Sequence, residues 1–319
     1  MRYVLYLLAN RNVVLVMAVV AGILLGGYAH IFEPWMLIIL AVVMTFSTTG
    51  ISTKLLTSPR KIYKPFFAGI LLNYVLYGSV LLLLSYWLID DRTIFYGMVV
   101  IAATPPGVAI IPFSAILKGD INYSIVATLG AFLASIGLAP LIVSWFAGSE
   151  GIQPLDLFYL MIKLILVPLL LSRLLLLKPI FRYILPLRGK IVDWGFALII
   201  YTAVGLNRDV FFEAPRALFS SSLVLFISIF VIGYAWEYMV IKTTGNKVLG
   251  ISQSMLATVK SSGFAAVTAL SLFGTRAAIP SAALAIFVLG YLLSLSFRLS
   301  WREKRKSAKK DDYQRKTGK

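Results

Sequence analysis

The sequence predicts an all-α membrane protein with ten transmembrane helices in two inverted five-helix repeats. Three observations predict it: long apolar runs, a lysine and arginine bias that alternates from loop to loop, and interruptions at matching positions of the two halves. Apolar residues make up 60% of the 319 residues, and mean hydropathy is +0.89. An ordinary soluble chain is roughly 45–50% apolar. A bilayer span takes roughly 20 mostly apolar residues, so the chain has room for about ten spans. It has no room for a sizeable soluble domain.

The apolar segments run 12–29, 34–50, 66–89, 93–117, 121–147, 155–177, 190–206, 217–241, 248–273 and 277–297. The first is too long and too poorly flanked for a cleaved signal peptide. Its Gly22 and Gly26 form a small-xxx-small pair that lets two helices approach closely. The second is short. The third follows Arg60, Lys61 and Lys64. The fourth contains Pro105, Pro106, Gly107 and Pro112, a true break rather than a simple kink. The fifth is uninterrupted. The sixth carries Lys163 about eight residues from its start, within reach of the interface by snorkelling. Asp193 in the seventh and Glu237 in the eighth lie near inner ends. The ninth is interrupted by Lys260, Ser261, Ser262 and Gly263, and the tenth runs into a basic tail.

Lysine and arginine favour the cytoplasmic side. One set of alternating loops holds Arg2 and Arg11, then Lys54, Arg60, Lys61 and Lys64, then Lys118. It continues with Arg173, Lys178, Arg182, Arg188 and Lys190, then Lys242 and Lys247, then the tail. The other set holds Arg92, Arg208, Arg216 and Arg276. Both termini are therefore expected in the cytoplasm, in a multi-pass protein of the plasma or inner membrane. Trp35, Trp87 and Trp145 fall near outer ends; Trp194, Trp236 and Trp301 fall near inner ends, where tryptophan prefers to sit. Residues 1–150 form the first repeat and 151–297 the second. Residues 298–319 form a basic tail, read as disordered and in contact with anionic lipid.

Composition excludes much chemistry. Cysteine is absent and His30 is the single histidine, which removes disulfides, thiolate sites and histidine metal clusters. The formal charge of +17 sits on loops and tail, so its partner is the bilayer rather than nucleic acid. Asp90-Asp91 has no second acidic cluster to share a metal, so an intramembrane enzyme is not expected and no cofactor is implied. The tail from Arg298 to Lys319 is short, so a sensor or receptor without flux is not the expectation.

The fourth and ninth segments are each fourth in their half. Five spans per half bring the second half in from the opposite side, the pattern of an inverted repeat. Interrupted segments at matching positions point to a transporter binding site. Backbone groups freed in hydrocarbon need partners, and freed carbonyls and half-helix N-termini can meet ions or anionic substrates. Around the breaks the polar groups are Asn73, Thr104, Ser124, Thr128, Ser254, Thr258 and Ser261. Lys260 joins them near mid-span, where a charge usually marks function. It could alternate between charged and neutral states, or stay charged by pairing with an anionic substrate. A cation/proton antiporter shares a broken crossing but usually needs an aspartate there, and none is present.

The stretch ATPPGVAIIPFSAILKGDINYSIVATLGAF, Ala103 to Phe132, resembles the fourth and fifth spans of the bile acid:sodium symporter family. MLATVKSSGFAAVTALSLFG, Met255 to Gly274, resembles its ninth span; FSTTGIS, Phe46 to Ser52, and LLNYVLYG, Leu71 to Gly78, are looser matches. The resemblance implies broken fourth and ninth spans that cross, and alternating-access transport of a small organic anion. In sodium-coupled members it also implies sodium at the crossing. Carried over by position, two sodium ligands persist as Ser124 and Thr128, and a third, normally glutamine, falls on Asn73. A Ser-Asn pair falls on Ile110 and Ile111, a glutamate on Leu256, and a glutamine on Lys260. With ligands lost and a lysine gained, the expectation is carriage without classical sodium coupling, the Lys260 ammonium replacing the sodium charge and Ser124, Thr128 and Asn73 remaining as remnants of a sodium site. A sodium symporter with a degenerate site stays open. Arsenite-efflux relatives use a cysteine, which this chain lacks.

Overall fold

A computed structural model describes residues 11–49, 59–107, 109–148, 154–206, 208 and 215–317. Arg2, Gly50 to Ser52 and Lys54 lie outside the described residues. The helices are α1 (Arg11–Leu25), α2 (Met36–Thr48), α3 (Pro59–Ile70, continued through a π-helical Leu71–Gly78 into Ser79–Leu88), α4 (Arg92–Ala103), α5 (Ile110–Ile116) and α6 (Ile121–Ala147). There follow α7 (Pro154–Met161, π-helical Ile162–Leu166, Val167–Leu175), α8 (Lys178–Gly205), α9 (Pro215–Phe226, π-helical Ile227–Val231, Ile232–Thr244), α10 (Lys247–Leu256), α11 (Ser262–Phe273) and α12 (Ile279–Thr317).

Among the described residues six stretches are long and apolar enough to cross a bilayer: Val13–Ile31, Ile62–Leu88, Ile121–Ala147, Phe158–Leu175, Leu218–Thr244 and Thr275–Leu299. Three apolar helices among the described residues are shorter: Glu33–Thr48, Arg92–Ala103 and Ser262–Phe273. The burial pattern suits lipid. The short α4 and α11 are enclosed, with Val99, Ile101, Ala102, Phe264 and Ala265 at 0% exposure, whereas long helices turn Trp87, Trp145 and Phe297 outward at 77, 85 and 82%. In water, apolar surface on this scale would be a strong drive to associate; hydrocarbon removes that drive.

Polar residues end the helices. Asp91 caps α4, accepting from Thr93 N and Ile94 N at 3.0 and 3.1 Å, and its other oxygen takes Arg276 Nη2 at 2.6 Å. Asp120 caps α6 through Tyr123 N, and Asn246 caps α10 through Leu249 N. Two arginines expected in inner loops reach the last carbonyls of α2: Arg173 donates to Thr48 O at 2.6 Å and Arg188 to Ser47 O at 3.5 Å. Cations suit a helix C-terminus. Gly22 and Gly26 pack inside the chain, where added Cβ atoms would lie 2.8 Å from Val204 Cβ and 2.8 Å from Gly205 Cα of α8.

Two expectations shift. α8 begins at Lys178 rather than residue 190: Pro179 suits a first turn, and the helix runs on through Pro186. α12 continues past Arg298 to Thr317, so the tail read as disordered is helical that far; its lysines, arginines and alanine are good helix formers. The ring N–H of Trp236 donates to Gln253 Oε1 at 3.1 Å.

Candidate functional site at the crossing of two broken helices

The fourth and ninth apolar segments each break and meet. α4 closes its last turn with Thr104 N donating to Val100 O at 2.9 Å. Pro105 and Pro106 have no N–H to offer Ile101 O and Ala102 O. Gly107 N turns away to Val259 O at 2.8 Å. In return Ser261 N donates to Pro105 O at 3.2 Å, which makes an antiparallel bridge centred on Pro106 and Lys260. Pro106 takes the position of the pair that makes no ladder bond, where a missing donor is harmless. Gly107 permits the approach: a Cβ there would lie 3.1 Å from Lys260 O.

Side chains replace the lost donors. Thr104 Oγ1 donates to Ile101 O at 2.9 Å, taking the role Pro105 cannot fill. Lys260 Nζ donates to Ala102 O at 2.8 Å and to Thr104 O at 2.7 Å. Asn73 Nδ2 adds a bond to Thr104 O at 3.3 Å. On the other strand Thr258 Oγ1 donates to Ser254 O at 2.7 Å, the counterpart of Thr104 at the end of α10.

Lys260 is 2% exposed. Its ammonium sits at the C-terminal end of α4, where the helix dipole is negative. Tyr74 and Tyr77 present their rings at 4.8 and 5.4 Å from Nζ, so aromatic faces complete the shell. The π-helical part of α3 carries Asn73, Tyr74 and Tyr77 together. Tyr74 is fixed by donating to Ala131 O of α6 at 3.0 Å. The contacts of Lys260 Nζ are two main-chain carbonyls and two tyrosine rings, so it is met by dipoles and rings rather than a carboxylate.

On the cavity side of the crossing lies about 50 Å³ of water-sized space bounded by Gly107, Phe113, Phe196, Ser261, Ser262 and Leu289. Ser261 precedes α11, is 3% exposed and makes no side-chain cap bond. This side therefore offers hydroxyls and the positive end of α11 within apolar walls.

The structure joins Lys260, Asn73 and Thr104 directly, and places Pro105, Pro106, Gly107 and Ser261 on the crossing strands. Ser254 and Thr258 bond to each other at the end of α10. Ser124 accepts from Ser114 Oγ at 2.7 Å, which ties α5 to α6, and Thr128 is buried with its hydroxyl unpartnered. Some break residues move. The helix resumes at Ser262, so Ser262 and Gly263 open α11, and Pro112 lies in the first turn of α5, where it needs no donor. Ile110 and Leu256 are core residues at 0% exposure and offer no oxygen side chain, and the ammonium fills the carbonyl site, so these residues do not fit a sodium ion. Among the described residues no cluster of acidic or histidine ligands could hold a metal. Tyr74, Tyr77 and Ser114 were not anticipated, although LLNYVLYG places both tyrosines beside Asn73.

Comparison with protein-family models and with curated proteins finds no match for the chain.

Proposed function

We propose that this chain is a secondary transporter that carries a small organic anion by alternating access, with the Lys260 ammonium in place of a coupling sodium ion. The observation that carries this reading is the position of Lys260. Its side chain starts on one break and donates to the helix-end carbonyls of the other. A bound monovalent cation would do the same work with oxygen ligands. The anion would bind at Ser261, Ser262 and the start of α11. Ten spans in two inverted halves fit the element order. The third segment of each half, α3 and α9, carries a π-helical stretch, and the fourth of each half is broken. The resemblance of residues 103–132 and 255–274 to bile acid:sodium symporters agrees with this scheme. The basic-loop asymmetry supports cytoplasmic termini in a cell membrane.

A sodium-coupled carrier with a degenerate site draws support from one feature, the unpartnered hydroxyl of buried Thr128. A thermal-shift screen of carboxylates and sulfonates on wild type and Lys260→Ala, with and without sodium, followed by proteoliposome uptake of any stabilising anion, separates the two. Uptake that is equal in sodium and in choline supports the built-in cation. Uptake that rises steeply with a sodium gradient refutes it, and a screen in which no anion shifts the wild type refutes the anion carrier.

A further inference from the structure

A second feature lies on the outer surface of the helix pair α1 and α8. The two helices touch at one end, through Gly22 and Gly26 against Val204 and Gly205, and Tyr201 Oη donates to Leu25 O at 2.8 Å. Toward the other end they enclose a groove of about 390 Å³, open on its outer side and walled by Met17, Ala18, Ala21, Trp194, Ala197 and Leu198. The small side chains on both helices leave it unfilled. Its walls are almost wholly apolar, and it lies within a bilayer-spanning stretch of α1. The end at Trp194 is basic. Lys190 is exposed one turn before Trp194 on the same face of α8, and Arg182 and Arg188 precede it. Asp193, the carboxylate of this stretch, already has a partner.

We infer that this groove is a binding site for an anionic phospholipid, with one acyl chain along the groove and the phosphate at Lys190. The occupant follows from the charge. An apolar slot at membrane depth takes a chain, and an exposed lysine at its mouth beside a tryptophan selects a negative headgroup at the interface. Val14, Ala18 and Ala197 of this groove share one packed cluster with Ile200 and Ala285, which wall the cavity at the crossing. A lipid here therefore rests against the outer side of the cavity wall. The inference needs only a membrane-embedded chain and is independent of the transport reading.

The test uses full-length protein in detergent, titrated with phosphatidylglycerol or phosphatidylcholine of identical chains, and reads the thermal midpoint. Phosphatidylglycerol should raise the wild-type midpoint by about 5 °C at saturation, and more than phosphatidylcholine does. Lys190→Gln should erase that difference and keep the response common to both lipids. Ala21→Phe, at a half-buried position facing the groove, should abolish both responses. Should Ala21→Phe fold poorly, brominated-chain phosphatidylglycerol should quench in wild type the fluorescence that Trp194→Phe removes. Equal stabilisation by the two lipids in wild type overturns the inference. So does an unchanged response in Ala21→Phe, no Trp194 quenching, or a dimer in detergent that Ala21→Phe disperses, which would make a second copy the occupant.

Discussion

Lys260→Met isolates the ammonium, because methionine keeps most of the buried stem and removes the charge and its donors. The variant loses two bonds from a charged donor, each about 1.5–3 kcal/mol, and ring contacts of about 1–2 kcal/mol. It also escapes the burial of a charge at membrane depth, about 2.5–3.5 kcal/mol. The balance is a destabilisation of about 3 kcal/mol, with Ala102 O left without its side-chain donor. Thr104 O keeps its bond to Asn73, so the break should loosen rather than unravel. Chemical denaturation in detergent micelles measures the difference. Small primary alkylammonium ions should restore part of the stability to Lys260→Ala, whose cavity retains the carbonyls and both tyrosine rings. A Lys260→Met protein as stable as wild type, with the same uptake rate and the same ion dependence, would refute the role given to this lysine.

Other positions test other layers. Gly69→Ala should fail to accumulate as folded protein, because its Cβ would lie 2.0 Å from the backbone oxygen of Ala127; size-exclusion profiles after solubilisation report this. Arg298→Ala leaves Glu237 buried without its partner and should destabilise by about 3–5 kcal/mol, whereas Arg276→Ala breaks an exposed pair and should change stability by less than about 1 kcal/mol; both are read by the same denaturation assay. Replacing Leu256 by Glu together with Lys260→Gln supplies a carboxylate and an amide near the crossing. That double variant should gain sodium-dependent thermal stabilisation absent from wild type.

The sequence made the apolar segments, both breaks and Lys260 legible, because prolines and a lone mid-span charge are strong signals against a lipid background. Segment ends were less legible. α8 and α12 run beyond the apolar segments, α8 through Pro186 and α12 into a basic stretch of good helix formers. The partners of Lys260 were also hidden. Its acceptors are main-chain carbonyls, which carry no residue-type signature, and they become available only because Pro105 and Pro106 withhold donors. The tyrosine rings carry no such signature either: it is the π-helical stretch that brings Tyr74 and Tyr77 to the same Nζ.

A cation that belongs to the chain differs from a bound ion in one thermodynamic respect. A bound sodium ion stabilises the crossing by an amount set by its concentration, so a gradient across the membrane biases one state over the other. In the proposed scheme the Lys260 side chain is present at fixed stoichiometry on both sides of any conformational change. It can steady the two broken helices, and it contributes no dependence on an external sodium gradient. A carrier built on it would run down the gradient of its own substrate unless another ion entered the cycle. Counterflow decides the point: vesicles loaded with unlabelled substrate should accumulate labelled substrate transiently with no ion gradient, and a strict requirement for an imposed ion gradient would contradict a self-contained cation at the crossing.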